Sequence, residues 1–472
     1  MPERDLCFTP ATELVKLYRA RKVSPLEVMQ AVLARIDRVN PKVNAYVTLA
    51  RDSALRAARA ATKALRRGAK LPPLHGVPVS IKDLTPTKGI RTTWGSKIFA
   101  QHVPEADALI VLRLKAAGAI VVGKSNTPEF GAGSQTFNAV FGATKNPYDL
   151  SRTCGGSSGG AGVAVACGMV PVADGSDLAA SLRNPGSFCN VVGFRPTPGR
   201  VPNCPAVNAW DTLGTLGPMS RTVRDAALMM AAIAGPDPCA PLSWPEGGDT
   251  FLAPLHRDLR GVRVAWSRTL GGLPVQPAVT AALEPARRTL EDLGCIVEDA
   301  EPDFSGAAEV FHTLRAHRFA QSHSGLLAQH RDKLKATVIW NIEAGLKLSG
   351  LDVAKAEAKR TAIFERLGQF FAKYELLACP VSQVVPFPVE VEYPTEIEGV
   401  RFDNYIDWMK SCYYVSVIAH PAISVPAGFT PGGLPVGLQL VGRYRDDFGV
   451  LAVAHAFERA TRIGERRPPL AG

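Results

Sequence analysis

The sequence predicts an α/β fold with a mixed central β-sheet and helices on both of its faces. Three observations carry this. β-Forming runs and helical runs alternate over residues 76–205, the pattern of a mainly parallel or mixed sheet covered by helices. Strand-like runs return near the C-terminus, at 423–425 and 436–441, where they read as closing strands. The 472 residues are 46% hydrophobic and 21% charged, the composition of a folded globular chain and not of a disordered one.

Taken in order, residues 8–70 read as mostly helical. Thr9-Pro10 opens one helix, and Ser24-Pro25-Leu26-Glu27 opens the next as a capping box with proline at the first helical position. Val28, Met29, Val32, Leu33 and Ile36 recur at helical spacing, and Asn40-Pro41 is expected to break this helix. A strand follows at 43–49 and an Ala-rich helix at 51–67; Pro72-Pro73 and Gly76 end this N-terminal wrap. Next come a strand at 77–81, a helix at 106–117 ended by Gly118, and a strand at 120–123. A helix that begins just after a glycine turn carries 163–166, and a strand carries 170–173. Residues 206–260 are rich in Pro, Gly and Asp around a helix at 223–234, which Gly235-Pro236 ends. A strand at 262–266, a helix at 275–293 and a largely helical stretch over 305–375 lead to a strand at 376–381 and a Pro-rich loop over 384–394. The apolar segment 413–419 reads as a buried helix and 448–461 as the last one. Length alone allows two or three domains, but large α/β enzymes often run this long as one. The expectation is one domain with a wrap at 1–72, a core at 73–220 that carries the site, a variable, largely helical insertion at 221–410, and closing strands with a C-terminal helix at 411–472.

Net charge is +11, but the basic residues are spread out. The densest group, Arg56 to Arg67, reads as the solvated face of its helix, so no nucleic acid is expected as a partner. No apolar run approaches the roughly 20 residues that span a bilayer, and no apolar core follows Met1-Pro2-Glu3-Arg4-Asp5, so neither a membrane nor a secretory signal is expected. The nine cysteines are scattered, odd in number and without paired short spacings, which points to free thiols in the cytoplasm and to no metal site.

The chemistry concentrates between Thr153 and Arg183. Gly155-Gly156-Ser157-Ser158-Gly159-Gly160 is followed by an apolar run and then by Asp174-Gly175-Ser176-Asp177-Leu178-Ala179-Ala180-Ser181, which reads as a second small-residue turn. Two serine clusters flanking a buried segment suggest hydroxyls that meet in one pocket. A serine needs an adjacent base to act as a nucleophile, and histidine is missing from this stretch. Lys82, at the end of the strand-forming run 77–81, is the candidate base; its plain alternative is a surface lysine after a strand. The glycine turn is no Walker loop, because Ala161-Gly162-Val163 replaces the required Gly-Lys-Ser/Thr end. Cys189 reads as a small core residue, and His312, His317 and His323 as helix-surface or packing residues. Ser134, Gln135 and Asn138 lie in a loop that is a candidate to face the site.

These motifs resemble the amidase signature family. The resemblance includes Gly76-Val77-Pro78-Val79-Ser80-Ile81-Lys82-Asp83, Gly123-Lys124-Ser125-Asn126-Thr127-Pro128-Glu129-Phe130 and Lys145-Asn146-Pro147-Tyr148. It continues through both serine clusters, 192–201 and 434–442, in order and with matching spacing; residues 230–410 match only loosely. It implies an α/β/α layered amidase-signature fold and a Ser–Ser–Lys triad. Ser181 falls on the nucleophile, Ser157 on the bridging serine and Lys82 on the general base. Ser158 is then a local hydrogen-bonding neighbour, and Asp177 and Arg183 a buried pair that holds the nucleophile turn. Backbone N–H groups of Leu178, Ala179 and Ala180 are the candidate oxyanion donors. Two departures stand out. The family usually has two glycines where this chain has Ala179 and Ala180, a change that is acceptable if both lie at negative φ. Cys154 stands where proline commonly precedes the glycine turn.

The expected activity is hydrolysis of a carbon–nitrogen bond in a small or aryl amide through an acyl-enzyme, without a cofactor, by a monomer or homodimer. Trp244, Trp340, Trp408, Phe311, Tyr413 and Tyr414 are candidates for an aromatic pocket that favours aryl or hydrophobic acyl groups. Carbamate (urethane) or ester cleavage by the same triad is the near alternative. A glutaminase-like subunit of a tRNA-dependent amidotransferase is the distant one. A degenerate, non-catalytic binding protein is a third, which the intact Lys82, Ser157 and Ser181 oppose.

Overall fold

Two strand-forming runs, Pro78–Lys82 and Ile120–Ser125, are buried along their whole length, as parallel strands in a sheet covered on both faces must be. The computed structural model, which describes residues 5–67 and 71–471, places them in one eleven-stranded sheet. Its strands in chain order are β1 (Tyr46–Leu49), β2 (Pro78–Lys82), β3 (Ile120–Ser125), β4 (Val172–Asp177), β5 (Val192–Arg195) and β6 (Thr215–Ser220). The remaining strands are β7 (Arg263–Trp266), β8 (Ile296–Asp299), β9 (Leu376–Pro380), β10 (Ala422–Phe429) and β11 (Pro435–Gly442). Across the sheet the order is β1-β3-β2-β4-β6-β5-β10-β11-β9-β7-β8. Parallel pairs join β3, β2 and β4 on one side and β9, β7 and β8 on the other, with antiparallel pairs between them and at the β1 edge, so the sheet is mixed as predicted.

Helices cover both faces. The period of two along a strand separates them. Val79, Ile81 and Val121 pack with α4 (Leu109–Ala116), α7 (Val223–Ile233), α8 (Pro277–Asp292) and α13 (Asp447–Thr461). Ile120, Val122 and Ala173 pack on the other side with α2 (Pro25–Val43), α3 (Arg51–Arg66) and α5 (Gly159–Ala166). Lys82 alternates with Ile81 and so points to the α5 side, where the glycine turn lies. A third apolar cluster joins α9 (Ala307–His330), α11 (Gly350–Lys373) and α12 (Lys410–Val417) to Ala179 and Ala180. A short helix, α10 (Ala336–Leu346), packs on α9, and α6 (Arg183–Phe188) follows the second serine cluster. The first helix, α1 (Ala11–Arg19), has no cap of its own; its first N–H groups, Ala11 and Thr12, donate to the carboxylate of Asp225 on α7 at 2.8 and 2.9 Å. Among the described residues no helix is long and apolar enough to cross a membrane.

Several boundaries differ from the sequence reading. The capping box at Ser24 and Glu27 is present, but Pro41 does not break α2; the helix ends at Val43, where Asn44 takes a left-handed conformation and donates to Asn40 O. The following strand therefore starts at Tyr46 and not at residue 43. β4 runs on through Asp174-Gly175-Ser176-Asp177, which locally resemble a turn, because β6 pairs with it over its full length. β5, β6 and β8 and the short α6 go beyond the sequence reading, since their stability comes from neighbours distant in sequence. The readings that fall on residues 1–4 and 68–70 lie outside the described residues.

The glycine turn sets the close approach of α5 to the sheet. A Cβ on Gly160 would lie 2.3 Å from Asn126 N and 2.7 Å from Ala45 O, and neither backbone atom can yield cheaply. Gly160→Ala is therefore expected to destabilise the fold by about 1–3 kcal/mol or more. A denaturant midpoint equal to that of the parent protein would show that the backbone relaxes there freely.

Candidate active site

β2 delivers Lys82 to the end of a fully buried strand. Asp174 at the centre of β4 accepts a hydrogen bond from the Lys82 backbone N–H and, at 2.9 Å, one from Thr85 Oγ1. With its backbone fixed, the side chain reaches three hydroxyls: Nζ lies 2.8 Å from Ser157 Oγ, 2.8 Å from Ser158 Oγ and 3.0 Å from Ser176 Oγ. The ammonium form would have little solvation here. Burial pulls the Lys82 pKa down to about 7, against the opposing pull of Asp174 and Asp177. An amine with that pKa can both accept and return a proton near neutrality.

The hydroxyls sit on a braced turn. Gly155 lies at φ +74°, a region that favours glycine, and the Gly156–Ser157 peptide is cis. Thr136 Oγ1 donates to Gly155 O at 2.8 Å and accepts from Gly159 N at 3.2 Å, while Ser134 Oγ donates to Gly156 O at 2.6 Å. The 134–138 loop therefore supports the turn from behind. Ser134, Gln135 and Asn138, expected to face the site, are instead buried in backbone and side-chain contacts, and none lines the cavity. Ser158 bonds more widely than expected, since it meets Lys82 as closely as Ser157 does.

The Ser181 loop hangs on a buried ion pair. Arg183 Nη2 lies 3.0 Å from Asp177 Oδ1, Arg195 Nη1 lies 3.2 Å from the same oxygen, and Leu182 N donates to Oδ2 at 3.1 Å. Burial pushes the Asp177 pKa up, but the two guanidiniums outweigh it and hold the carboxyl well below the usual range. Arg183 also donates to Ala179 O at 2.7 Å, Gln439 Oε1 at 2.7 Å and Ser416 Oγ at 2.8 Å. Ser416 in turn donates to Ala179 O at 3.1 Å. The two alanines fit this frame without strain, because neither lies at positive φ, and both are buried in the same apolar cluster as Phe188 and Leu213. Among the described residues, the backbone N–H groups of Ala179, Ala180 and Ser181 donate to no partner outside regular elements. Ser158 N donates to Ser181 O at 3.2 Å, whereas Ser181 Oγ has no hydrogen-bond partner among the described residues.

Ser157, Ser176 and Ser181 open onto a cavity of about 260 Å³. Its walls include Leu178, Phe130, Phe319, His323, Arg315 and Arg318. Burial, with Arg318 nearby, pushes the His323 pKa down to about 4, so the ring is neutral at pH 7 and presents an aromatic face packed on Phe130 at 4.5 Å. His323 therefore has the packing role that is one of the two read from sequence, and it also belongs to the cavity wall. None of Trp244, Trp340, Trp408, Phe311, Tyr413 and Tyr414 lines it. Phe311 and Tyr413 instead stack on each other at 4.2 Å, and Trp340 is exposed. A larger cavity, about 620 Å³, lies among Phe8, Tyr148, Arg221 and Arg462 and touches none of Lys82, Ser157 and Ser181. Sequence reasoning gives no role to Ser176 or Asp174, although both stand inside the quoted motif. It has no local signal for Ser416, which reaches the loop from another part of the chain.

The family model described as Amidase matches residues 27–451. An acylamidase from Rhodococcus erythropolis is 37% identical over 471 residues, covering 99% of this chain and 98% of that protein. The A-type component of a glutamyl-tRNA(Gln) amidotransferase from Carboxydothermus hydrogenoformans is 34% identical over 496 residues, covering 99% and 100%. Among solved structures, a bacterial aryl acylamidase of the amidase signature family superimposes with a TM-score of 0.93 at 30% identity, covering 98% of this chain and 99% of that one. With sequence motifs, sheet order and relatives in agreement along nearly its whole length, this chain belongs to the amidase signature family.

Proposed function

We propose that this protein hydrolyses a carbon–nitrogen bond of a small or aryl amide, with Ser181 as nucleophile, Ser157 as bridge and Lys82 as general base. One observation carries the reading: a desolvated lysine amine lies 2.8 Å from Ser157 Oγ, and Ser157 and Ser181 line one cavity. Neutral Lys82 takes the proton of Ser157, and Ser157 takes that of Ser181 as Ser181 Oγ attacks the carbonyl carbon. The same chain returns a proton to the leaving amine, and water then hydrolyses the acyl-enzyme. The N–H groups of Leu178, Ala179 and Ala180 stabilise the oxyanion, each such donor being worth roughly 3–4 kcal/mol. Phe130, Phe319 and the neutral His323 favour an aryl or hydrophobic acyl group. The names of the acylamidase and aryl acylamidase relatives support amide cleavage. The nine free thiols fit a reducing, cytoplasmic setting.

The relay requires Lys82 to be neutral, so its protonation at low pH abolishes the base. Accordingly kcat/KM is expected to rise as pH increases through about 7 and to level off above it, with a fall of about tenfold per unit on the acid side. A profile flat from pH 5 to pH 9 would remove Lys82 from the base role.

Lys82→Ala is expected to lower kcat by roughly 10²–10⁴-fold, and Ser181→Ala to prevent acyl-enzyme formation, seen as loss of the acyl adduct in mass spectra of quenched reactions. Matched anilide, carbamate and ester substrates then rank the bond cleaved; faster turnover of the carbamate than of the amide would move the assignment to urethane cleavage.

A second reading, the glutaminase component of an amidotransferase, is favoured by amidotransferase relatives 34–36% identical over 96–99% of this chain. It predicts ammonia release from glutamine at a rate exceeding that on any anilide. Failure to hydrolyse glutamine, with anilide turnover intact, would discard it.

A further inference from the structure

The cavity that holds Ser181 shares a wall with a second chamber of about 240 Å³, lined by Pro86, Ile110, Pro205 and Gln321 among others. Ser157 and Ser181 line only the first chamber, while Ser176 and Arg318 line both. Arg318 projects from α9 and forms an ion pair with Asp211 through Nη1. Its side chain keeps 36% of its surface open. A guanidinium carries five N–H donors; among the described residues no acceptor other than Asp211 is hydrogen-bonded or paired to this one. Arg315, one turn earlier, is by contrast spent on Asn341 Oδ1 at 3.2 Å and Tyr405 OH at 2.7 Å.

The pair also sits close to the chemistry. A Cβ on Gly214 would lie 3.4 Å from each of Arg318 Nη1, Asp211 Oδ2 and Leu178 Cδ1, which places the pair beside the loop that leads to Ser181. The other charges around the chambers are already engaged. Asp177 is paired with Arg183 and Arg195, Lys82 is held among hydroxyls, and His323 is neutral at pH 7. Arg318 is thus a cation with donors to spare, in a wall that the Ser181 chamber shares with the second one. Charge-assisted pairing with a carboxylate is the strongest contact such a fork makes.

We propose that Arg318 selects amides whose amine half carries a carboxylate, such as N-acyl amino acids or carboxylated anilides, with the acyl group in the aromatic chamber and the carboxylate in the second. The inference rests on the reading of this cavity as the substrate site. It is tested with N-acyl-4-aminobenzoate against the matched N-acyl-4-aminobenzamide, and with calorimetric binding of the free 4-aminobenzoate and 4-aminobenzamide. Wild type is expected to favour the carboxylate by about tenfold or more in kcat/KM and in affinity. Arg318→Gln should bring both ratios close to one, Arg318→Lys should keep part of them, and Asp211→Asn should raise them by freeing the guanidinium. A wild-type ratio near one, or an equal loss on both substrates in Arg318→Gln, overturns the proposal even if Ser181-dependent hydrolysis of the neutral amide stands. Arg318-dependent binding of 4-aminobenzoate without turnover of any amide would uphold the carboxylate subsite and sink the hydrolase reading instead. Binding of neither ligand would overturn the subsite.

Discussion

A lysine amine sealed from water is the constraint on which the rest of this site depends. In solution the Lys82 ammonium would be no base at neutral pH, and only burial makes its neutral form accessible. That burial has to be built. It needs β2 covered on both faces, α5 brought within backbone contact of Asn126 and Ala45 by Gly160, and hydroxyls placed where solvent would otherwise be. Asp174 contributes by anchoring the Lys82 backbone while its own carboxylate stays hydrogen-bonded to Thr85. A carboxylate in direct contact with Nζ would raise the amine pKa and defeat the arrangement; here the contacts of Nζ are all with neutral oxygens.

The Ser181 loop solves a different problem, that of holding a chain reversal open toward the cavity. Carbonyls of Ala179, Ala180 and Ser181 are tied down, while among the described residues the N–H groups of the same three have no partner. Arg183 and Ser416 both bond Ala179 O, and Asp177 bonds Leu182 N, so the loop is fixed from behind. The ion pair beneath it is fully buried, yet its donors and acceptors are matched by Arg195, Gln439 and the Cys412 carbonyl. Breaking such a pair by removing one partner costs about 3–5 kcal/mol, because the other charge is left buried alone. The alanines that replace the usual glycines lie at negative φ and are buried in the apolar cluster of α9, α11 and α12, so they put no strain on the backbone.

Much of the fold was legible because its signals are local. The capping box at Ser24 and the strands read at 77–81 and 120–123, which run in the structure from Pro78 to Lys82 and from Ile120 to Ser125, carry their signal in their own residues. Legibility failed where a partner strand decides. Residues 174–177 look like a turn, yet they form the second half of β4 because Thr215–Ser220 lies alongside them. Likewise Pro41 does not end α2; Asn44, three residues on, supplies the left-handed stop.

The sequence by itself determined the chemical inventory: which hydroxyls and which amine are present, and membership of a family whose motifs run in unbroken order. Tertiary structure alone decided the electrostatics and the shape of the cavity. Desolvation of Lys82, the neutrality of His323 and the free donors of Arg318 are sums over neighbours from α5, α9 and the loops after β5, and no local pattern encodes such sums. The aromatic residues that stand out in the sequence pack elsewhere, while Phe130 and Phe319 form the wall. A side chain's type is written in the chain, but what it faces is settled only when elements distant in sequence come to rest against it.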